Sequence, residues 1–186
     1  MDLFTCIQAH TPFDAAEERH KALMLHYLAH SKEDLFLRPP HAHFTASAMV
    51  LSPNCDAILL LHHNIYQSWT WPGGHSDGER DLLHTAKKEV MEETGLKAQH
   101  LSRGSLIALD VIPVLAHYKK GAYVANHLHL NLTYSFVADV TAPLHINARE
   151  NSAVMWVPFN ELWEKTKNEP HMQKIYKKGL IKMGII

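Results

Sequence analysis

Glu89, Glu92 and Glu93 lie close together in the sequence and have the residue type and spacing to do chemistry. On an α-helix, their i, i+3, i+4 spacing places three carboxylates within about one turn. Like charges at this spacing destabilise a helix by a few tenths of a kcal/mol, and a divalent cation reverses that sign. Hard ions such as Mg²⁺ take carboxylate and carbonyl oxygens and keep water for substrate phosphates. The spacing suits a Mg²⁺ or Mn²⁺ site, although three glutamates alone more often form a solvated acidic helix face.

The residues around these glutamates predict a loop, a helix and a second loop. Gly73 and Gly74 can take backbone angles closed to other residues and let a ligand approach the main chain. Asp81 is a favourable helix N-cap, and Gly95 stands where a left-handed C-cap ends a helix. The sequence therefore predicts a helix over Leu82 to Glu93, with the glutamates beside a core-facing stripe. The stripe consists of Leu82, Leu83, Ala86 and Val90.

The segment from Gly74 to Leu96 resembles the box of the Nudix hydrolase superfamily, G-x5-E-x7-R-E-U-x-E-E-x-G-U, where U is aliphatic. The resemblance extends to HFTASAMVL before the box and ENSAVMWVP after it, so it covers most of residues 42–162. The chain departs from the box twice, since Arg80 replaces the first glutamate and Lys88 replaces the arginine. These two cations are expected to repel each other, and Glu79 is the predicted substitute carboxylate. The resemblance is carried by Gly74, Glu89, Val90, Glu92, Glu93, Gly95 and Leu96, with the basic residue Lys88 at the arginine position.

The resemblance implies a metal-dependent hydrolase that cleaves a diphosphate linkage in a nucleoside diphosphate derivative or similar small molecule. Mg²⁺ or Mn²⁺ would neutralise the diphosphate and lower the pKa of a bound water. Glu92 and Glu93 are the expected ligands, and Glu89 is a third ligand or the group that orients or deprotonates water. The Gly73 carbonyl is expected to complete the shell. Glu150 stands where the family often has another acidic residue, and an ordinary loop glutamate explains it equally well.

The strand-like stretch from Tyr123 to Val140 carries the predicted substrate contacts. His127 and His129 alternate with apolar residues there, and a polar face on a central strand usually needs a partner, which substrate could provide. A sheet with one solvated face is the simpler explanation for any single residue. Lys88 and Glu79 complete the predicted substrate-binding set. Trp69 and Trp71 precede the glycine pair and are predicted to belong to the core rather than to stack a base.

Two other functions remain open on the same resemblance. Arg80 could leave a catalytically impaired Nudix-fold domain that binds a nucleotide or diphosphate ligand without turnover, since fold does not fix function. An isomerase of a diphosphate-bearing isoprenoid is less favoured, because neither Cys6 nor Cys55 aligns with a catalytic cysteine.

The order of predicted elements favours an α+β fold, an α/β/α sandwich with a mixed sheet between helices. The resemblance implies the same layered fold. We expect a single domain over residues 1–186, with a helical extension (1–38), a Nudix core (42–167) and a C-terminal helix (168–186). The predicted helices are Phe13 to His30, Leu82 to Glu93, Pro158 to about Lys167, and His171 to Met183. The predicted strands are His43 to Leu51, Ala57 to His63, Ser105 to Val114, Tyr123 to Val140 and Ser152 to Val157, with a turn at Lys119 to Gly121.

Composition limits the partners. The 18 basic and 19 acidic residues give no overall attraction to nucleic acid or anionic membrane. Two cysteines indicate no disulfide framework, and neither a leader nor a run of about 20 apolar residues is evident. We therefore expect a cytoplasmic protein with a small diphosphate substrate, no membrane and no extended nucleic acid, and we allow for a homodimer. The 16 histidines are spread along the chain, so most are expected to be surface or half-buried side chains.

Overall fold

The computed structural model describes residues 2–65, 67–100, 106–119 and 121–186. Within these ranges it contains five helices and ten strands. The helices are α1 (Leu3–Ala9), α2 (Ala15–His30), α3 (Leu82–Thr94), α4 (Phe159–Lys165) and α5 (Pro170–Lys182). The strands are β1 (Ala42–Leu51), β2 (Ala57–His63), β3 (Ser68–Thr70), β4 (Gly73–His75), β5 (Gln99–His100), β6 (Leu106–Val114), β7 (His117–Lys119), β8 (Ala122–Val124), β9 (His127–Val137) and β10 (Asn151–Pro158).

Strand β1 lies at the centre of a mixed eight-stranded sheet, in the order β10-β2-β1-β9-β5. It pairs in parallel with β9 along its whole length and antiparallel with β4. Strands β3 and β6 pair with β2 and β9, and β7 and β8 form a separate ribbon. Strands β1 and β2 pair only at Leu51 and Ile58, because β4 occupies that edge of β1 further along. The mixed sheet confirms the predicted α+β fold.

Helices cover both faces of the sheet, because alternate β1 side chains point to opposite sides. One core contains Ala46 and Ala48 of β1 together with residues of α1, α2 and α3. The other contains Met49 and Leu51 of β1 with residues of α4 and α5. Trp71 belongs to this second core as predicted, and its ring lies 5.0 Å from that of Tyr176. None of the helices among the described residues has the length and apolarity needed to cross a bilayer.

Local signals in the sequence fix α2 and α3 at their ends. The Asp14 carboxylate accepts hydrogen bonds from two amides in the first turn of α2. Asp81 does the same for α3, and Gly95 ends that helix with a left-handed φ of 74°. The helix therefore begins at Leu82 as predicted and ends one residue later, at Thr94.

The structure adds one helix to the predicted elements and divides one predicted strand. Helix α1 was not predicted, and its seven residues rest on the burial of Ile7. The predicted strand from Tyr123 to Val140 is divided, with β8 ending at Val124 and β9 running from His127 to Val137. Ser105 of one predicted strand and Lys120 of the predicted turn lie outside the described residues.

Candidate active site

Glu93 is held between two strands at the end of α3. The Gly73 main-chain N–H donates to Glu93 Oε2 at 3.0 Å, and Asn151 Nδ2 donates to Glu93 Oε1 at 3.0 Å. Only 5% of Glu93 is exposed. The Asn151 side chain is also buried, and its Oδ1 has no hydrogen-bond partner among the described residues. A buried carboxylate and a neighbouring unsatisfied amide oxygen form a donor set that suits a hard cation.

The absence of side chains at Gly73 and Gly74 allows close packing around Glu89. A Cβ at Gly74 would lie 2.4 Å from Glu89 Oε1, so an alanine there would displace this carboxylate. A Cβ at Gly73 would lie 2.8 Å from the main-chain oxygen of Ala46, and the strand pairing leaves no room for it. Gly73 therefore permits a close approach of β4 to β1, and Gly74 permits a close approach of β4 to α3.

Burial and like charge act together on the two inner carboxyls. The pKa of Glu93 is raised to about 8, chiefly by burial and also by the Glu89 and Glu150 charges, while the hydrogen bonds from Asn151 and Gly73 oppose the rise. Burial also raises the pKa of Glu89 to about 7, with the Glu92 charge adding to the effect and Lys88 opposing it. Near neutral pH both carboxyls are therefore substantially protonated, and a bound cation would displace their protons.

The raised pKa of Glu93 predicts a pH-dependent stability in chelator-treated protein. A carboxyl that binds its proton more tightly when folded stabilises the fold below about pH 4.5, and this stabilisation is lost as pH rises to about 8. Relative to the parent, Glu93→Gln should therefore gain on the order of 3 kcal/mol between pH 5 and pH 8. Urea unfolding at the two pH values measures this difference. A constant difference would contradict the assigned pKa.

The other two predicted carboxylate ligands, Glu92 and Glu150, are more exposed than Glu89 and Glu93. Glu92 is about half exposed and forms an i, i+4 ion pair with Lys88, with Nζ and Oε1 3.5 Å apart. Glu150 is exposed and accepts a hydrogen bond from Asn147 Nδ2 at 3.2 Å. Its charge nonetheless contributes to the raised pKa of both Glu89 and Glu93, so the structure brings it to the same site.

Arg80 and Glu79, which lie at the first departure from the box, bind other partners. Arg80 Nη2 donates to Asp34 Oδ2 at 2.7 Å, and the guanidinium lies 4.7 Å from the centre of the Phe36 ring. Arg80 and Lys88 therefore each have an anionic partner, Asp34 and Glu92, which offsets the expected repulsion between them. Glu79 Oε1 accepts from the Asp81 N–H at 2.8 Å, at the beginning of α3, whereas the glutamate triad occupies the end of that helix.

The polar side chains of β9 line a buried face and not a solvated one. Asn131 is 2% exposed, and its Oδ1 accepts from Thr45 Oγ1 and Ser47 Oγ, both at 2.9 Å. The explanation of this face by solvation is therefore wrong for Asn131, since β1 supplies its partners. His127 and His129 continue the same face, with their Nε2 atoms 3.3 Å apart.

Sequence reasoning missed two histidines beside this pair. His43 of β1 and His75 of β4 approach His129, and ligand nitrogens of these three residues lie within 4.8 Å of one another. Burial lowers the pKa of His129 to about 2, with the neighbouring histidines adding to the effect, and burial also lowers the pKa of His43. Both rings are therefore neutral near pH 7. Alternation along β9 was the only sequence signal, because the strand register that gathers the cluster is long-range.

The chain is similar to a family profile and to several solved structures. The NUDIX domain profile matches residues 41–179. The NUDIX hydrolase from Nitrosomonas europaea matches with a TM-score of 0.55 and 18% identity, over 77% of this chain and 91% of that chain. A NUDIX-family hydrolase from Clostridium perfringens matches at a TM-score of 0.47 and 17% identity, over 68% and 87%. An Ap4A hydrolase from C. elegans matches with a TM-score of 0.48 and 15% identity, over 77% of this chain and 98% of that chain.

A comparison with curated protein sequences found no match. The profile match covers well over half of the chain and includes α3, strand β4 with its two glycines, and the sheet that positions them. The chain therefore belongs to the NUDIX family.

Proposed function

We propose that this protein is a divalent-metal-dependent hydrolase that cleaves the diphosphate linkage of a nucleoside diphosphate derivative or similar small molecule. One observation carries the proposal: Glu93 is buried between the Gly73 amide and Asn151, beside a second largely buried carboxyl, Glu89. Two such groups are costly to ionise without a cation. Membership of a family of hydrolases that generally use divalent metals supports the same conclusion.

Each carboxylate has a proposed role. Glu92 and Glu93 would hold Mg²⁺ or Mn²⁺, with the Gly73 carbonyl and Glu150 completing the shell. Glu89 is a third ligand or the group that takes a proton from water, and a pKa of about 7 suits a base that works near neutral pH. When bound, the ion would neutralise diphosphate charge and acidify a bound water.

Four residues are proposed to contact the substrate. His127 and His129 present ring nitrogens on the sheet face that also carries Asn131. Lys88 is about half exposed beside Glu92, where an ammonium group can meet a phosphate oxygen. Glu79 stays a proposed contact only through its position in the loop before α3, since its carboxylate is bound by the Asp81 amide.

The proposed function predicts turnover in spite of the departure at Arg80. The parent protein, mixed with nucleoside diphosphate derivatives and Mg²⁺ or Mn²⁺, should release products that a coupled phosphatase assay detects. Arg80→Ala should keep turnover within about twofold of the parent, because Asp34 and Phe36 hold the guanidinium at an exposed position. A silent parent that Arg80→Glu activates would instead support the impaired, ligand-binding domain.

We also propose that residues 1–38, 42–167 and 168–186 form a single unit. Buried contacts among Glu17 of α2, Leu109 of β6 and Lys178 of α5 support this, because they join all three parts. A cytoplasmic location is favoured by Cys6 and Cys55, which are not disulfide-bonded. A homodimer stays a prediction.

A further inference from the structure

Three strands bring three imidazoles together on one face of the sheet. His43 and His129 are register partners on the parallel pair β1 and β9. His75 stands on β4, at the other side of β1, opposite Thr45. The ring centroids of the three histidines are 4.9 to 5.0 Å apart. Because strands of one sheet fix this arrangement, the rings meet through backbone pairing and not through the rotamers of long, mobile side chains.

The distances between the nitrogens suit a small cation. Ligand atoms within 4.8 Å of one another have a common point within about 2.8 Å of all three, and Zn–N bonds are about 2.1 Å long. Ring shifts of less than about 1 Å would therefore close the shell.

His43 shows which of its nitrogens is available. Its side chain is almost wholly buried, with the residue 5% exposed, and Nδ1 lies 3.1 Å from the Pro39 carbonyl oxygen. A carbonyl can only accept, so Nδ1 carries the proton and donates, and Nε2 keeps its lone pair. Nε2 is buried and has no hydrogen-bond partner among the described residues. A ring oriented by its other nitrogen against a backbone carbonyl is the usual arrangement of a metal-binding histidine.

We propose that His43, His75 and His129 bind a borderline transition-metal ion such as Zn²⁺, at a site separate from the carboxylates of α3. Neutral imidazoles are the ligands that Zn²⁺, Co²⁺ and Ni²⁺ accept, whereas Mg²⁺ requires oxygen. Three protein ligands leave a fourth position. His127 stands next to it, since its Nε2 lies 3.3 Å from that of His129, and an anionic oxygen of a bound solute is the other ligand that fits.

Strand β4 separates the two sites. Gly74 faces the Glu89 carboxylate, and His75, the next residue, therefore points to the opposite face, where it meets His43 and His129. The two proposed sites thus differ in both position and ligand chemistry, so each can be removed without removing the ligands of the other.

The test is a Co²⁺ titration of the full-length, tag-free, chelator-treated protein. Co²⁺ in a tetrahedral imidazole site absorbs visible light more strongly than Co²⁺ among carboxylates and water, so the two sites are distinguishable. We expect one equivalent to give the intense band and Zn²⁺ to displace it. His75→Gln and His129→Gln should each weaken Co²⁺ binding by at least about tenfold. His84→Gln, an exposed histidine on α3, is the matched control, and the band should also persist in Glu93→Gln.

A second measurement uses only the parent, in case a histidine variant fails to fold. Addition of Zn²⁺ should raise the melting temperature and shift the imidazole NMR signals of His43, His75 and His129, whereas Mg²⁺ should leave those signals unchanged. Absence of an intense Co²⁺ band, or a band of equal affinity in folded His75→Gln, would overturn the proposal. Unchanged imidazole signals with Zn²⁺ would overturn it as well, and would show a cluster of stacked neutral rings.

Discussion

Glu93→Gln is expected to bind Mn²⁺ at least about tenfold more weakly than the parent and to lower turnover by roughly 10² to 10³. The substitution keeps the size of the side chain and removes the charge that a cation would meet. It also puts an NH₂ group against one of two donors, because the Gly73 N–H and Asn151 Nδ2 each face a Glu93 oxygen. Both effects act on the proposed metal shell directly.

Calorimetry with Mn²⁺ measures the affinity, and the coupled assay measures turnover. Glu161→Gln is the matched control, because Glu161 is an exposed glutamate in the first turn of α4 and should change neither quantity. Equal Mn²⁺ affinity in Glu93→Gln and the parent would remove Glu93 from the metal site, whatever happened to turnover.

The helix that carries the triad could be predicted because its signals are local. Asp81, Gly95 and the apolar stripe all lie within the helix or next to it, and each acts through the backbone of neighbouring residues. The triad itself follows from this helix and the spacing of three residues. Helix α1 has a comparable N-cap in Asp2, but a helix of seven residues depends on tertiary packing such as that of Ile7, which the sequence does not show.

The placement of Arg80 could not be predicted, because its partners are distant in sequence. Asp34 and Phe36 belong to the connection after α2, and only the folded chain brings them to the loop before α3. The expected repulsion with Lys88 assumed that the two cations face each other, as the two box residues at these positions would. In the structure Lys88 pairs with Glu92, so each cation has its own anionic partner.

The polar face of the sheet also could not be predicted, because the residues that form it are distant in sequence. Parallel pairing of β1 with β9 sets Thr45 and Ser47 beside Asn131 and also aligns His43 with His129. A shift of one residue in this register would send every β9 side chain to the other face. Histidines that look dispersed in the sequence therefore converge at this point, although most of the histidines with described side chains are exposed or half-buried, as expected.

The second large effect, a loss of stability, is expected at Glu17, a buried carboxylate outside the triad of Glu89, Glu92 and Glu93. Glu17 is 1% exposed, at the base of a cleft of about 600 Å³ between α2, β6 and α5. Burial alone would raise its pKa, but hydrogen bonds from His10 and from the Leu109 amide, together with the Lys178 charge, hold the pKa well below its usual range. Its contacts are the N–H groups of Phe13 (2.6 Å) and Leu109 (2.7 Å), His10 Nε2 (3.1 Å), Lys182 Nζ (3.3 Å) and Lys178 Nζ (3.5 Å).

Glu17→Gln is expected to lower the free energy of unfolding by about 3 kcal/mol, because the change replaces one acceptor oxygen with an NH₂ group facing buried donors and removes the negative charge beside Lys178 and Lys182. A carboxyl whose pKa is depressed in the fold contributes stability above its unfolded pKa of about 4.3 and loses it as pH falls toward the folded pKa. The difference between parent and variant in urea unfolding should therefore be largest near pH 7 and shrink below about pH 4. Glu18→Gln, an exposed neighbour on α2, should change stability by less than about 0.5 kcal/mol. Equal stability of Glu17→Gln and Glu18→Gln at pH 7 would show that this network does not anchor α2 to α5, and would remove the main support for a single unit.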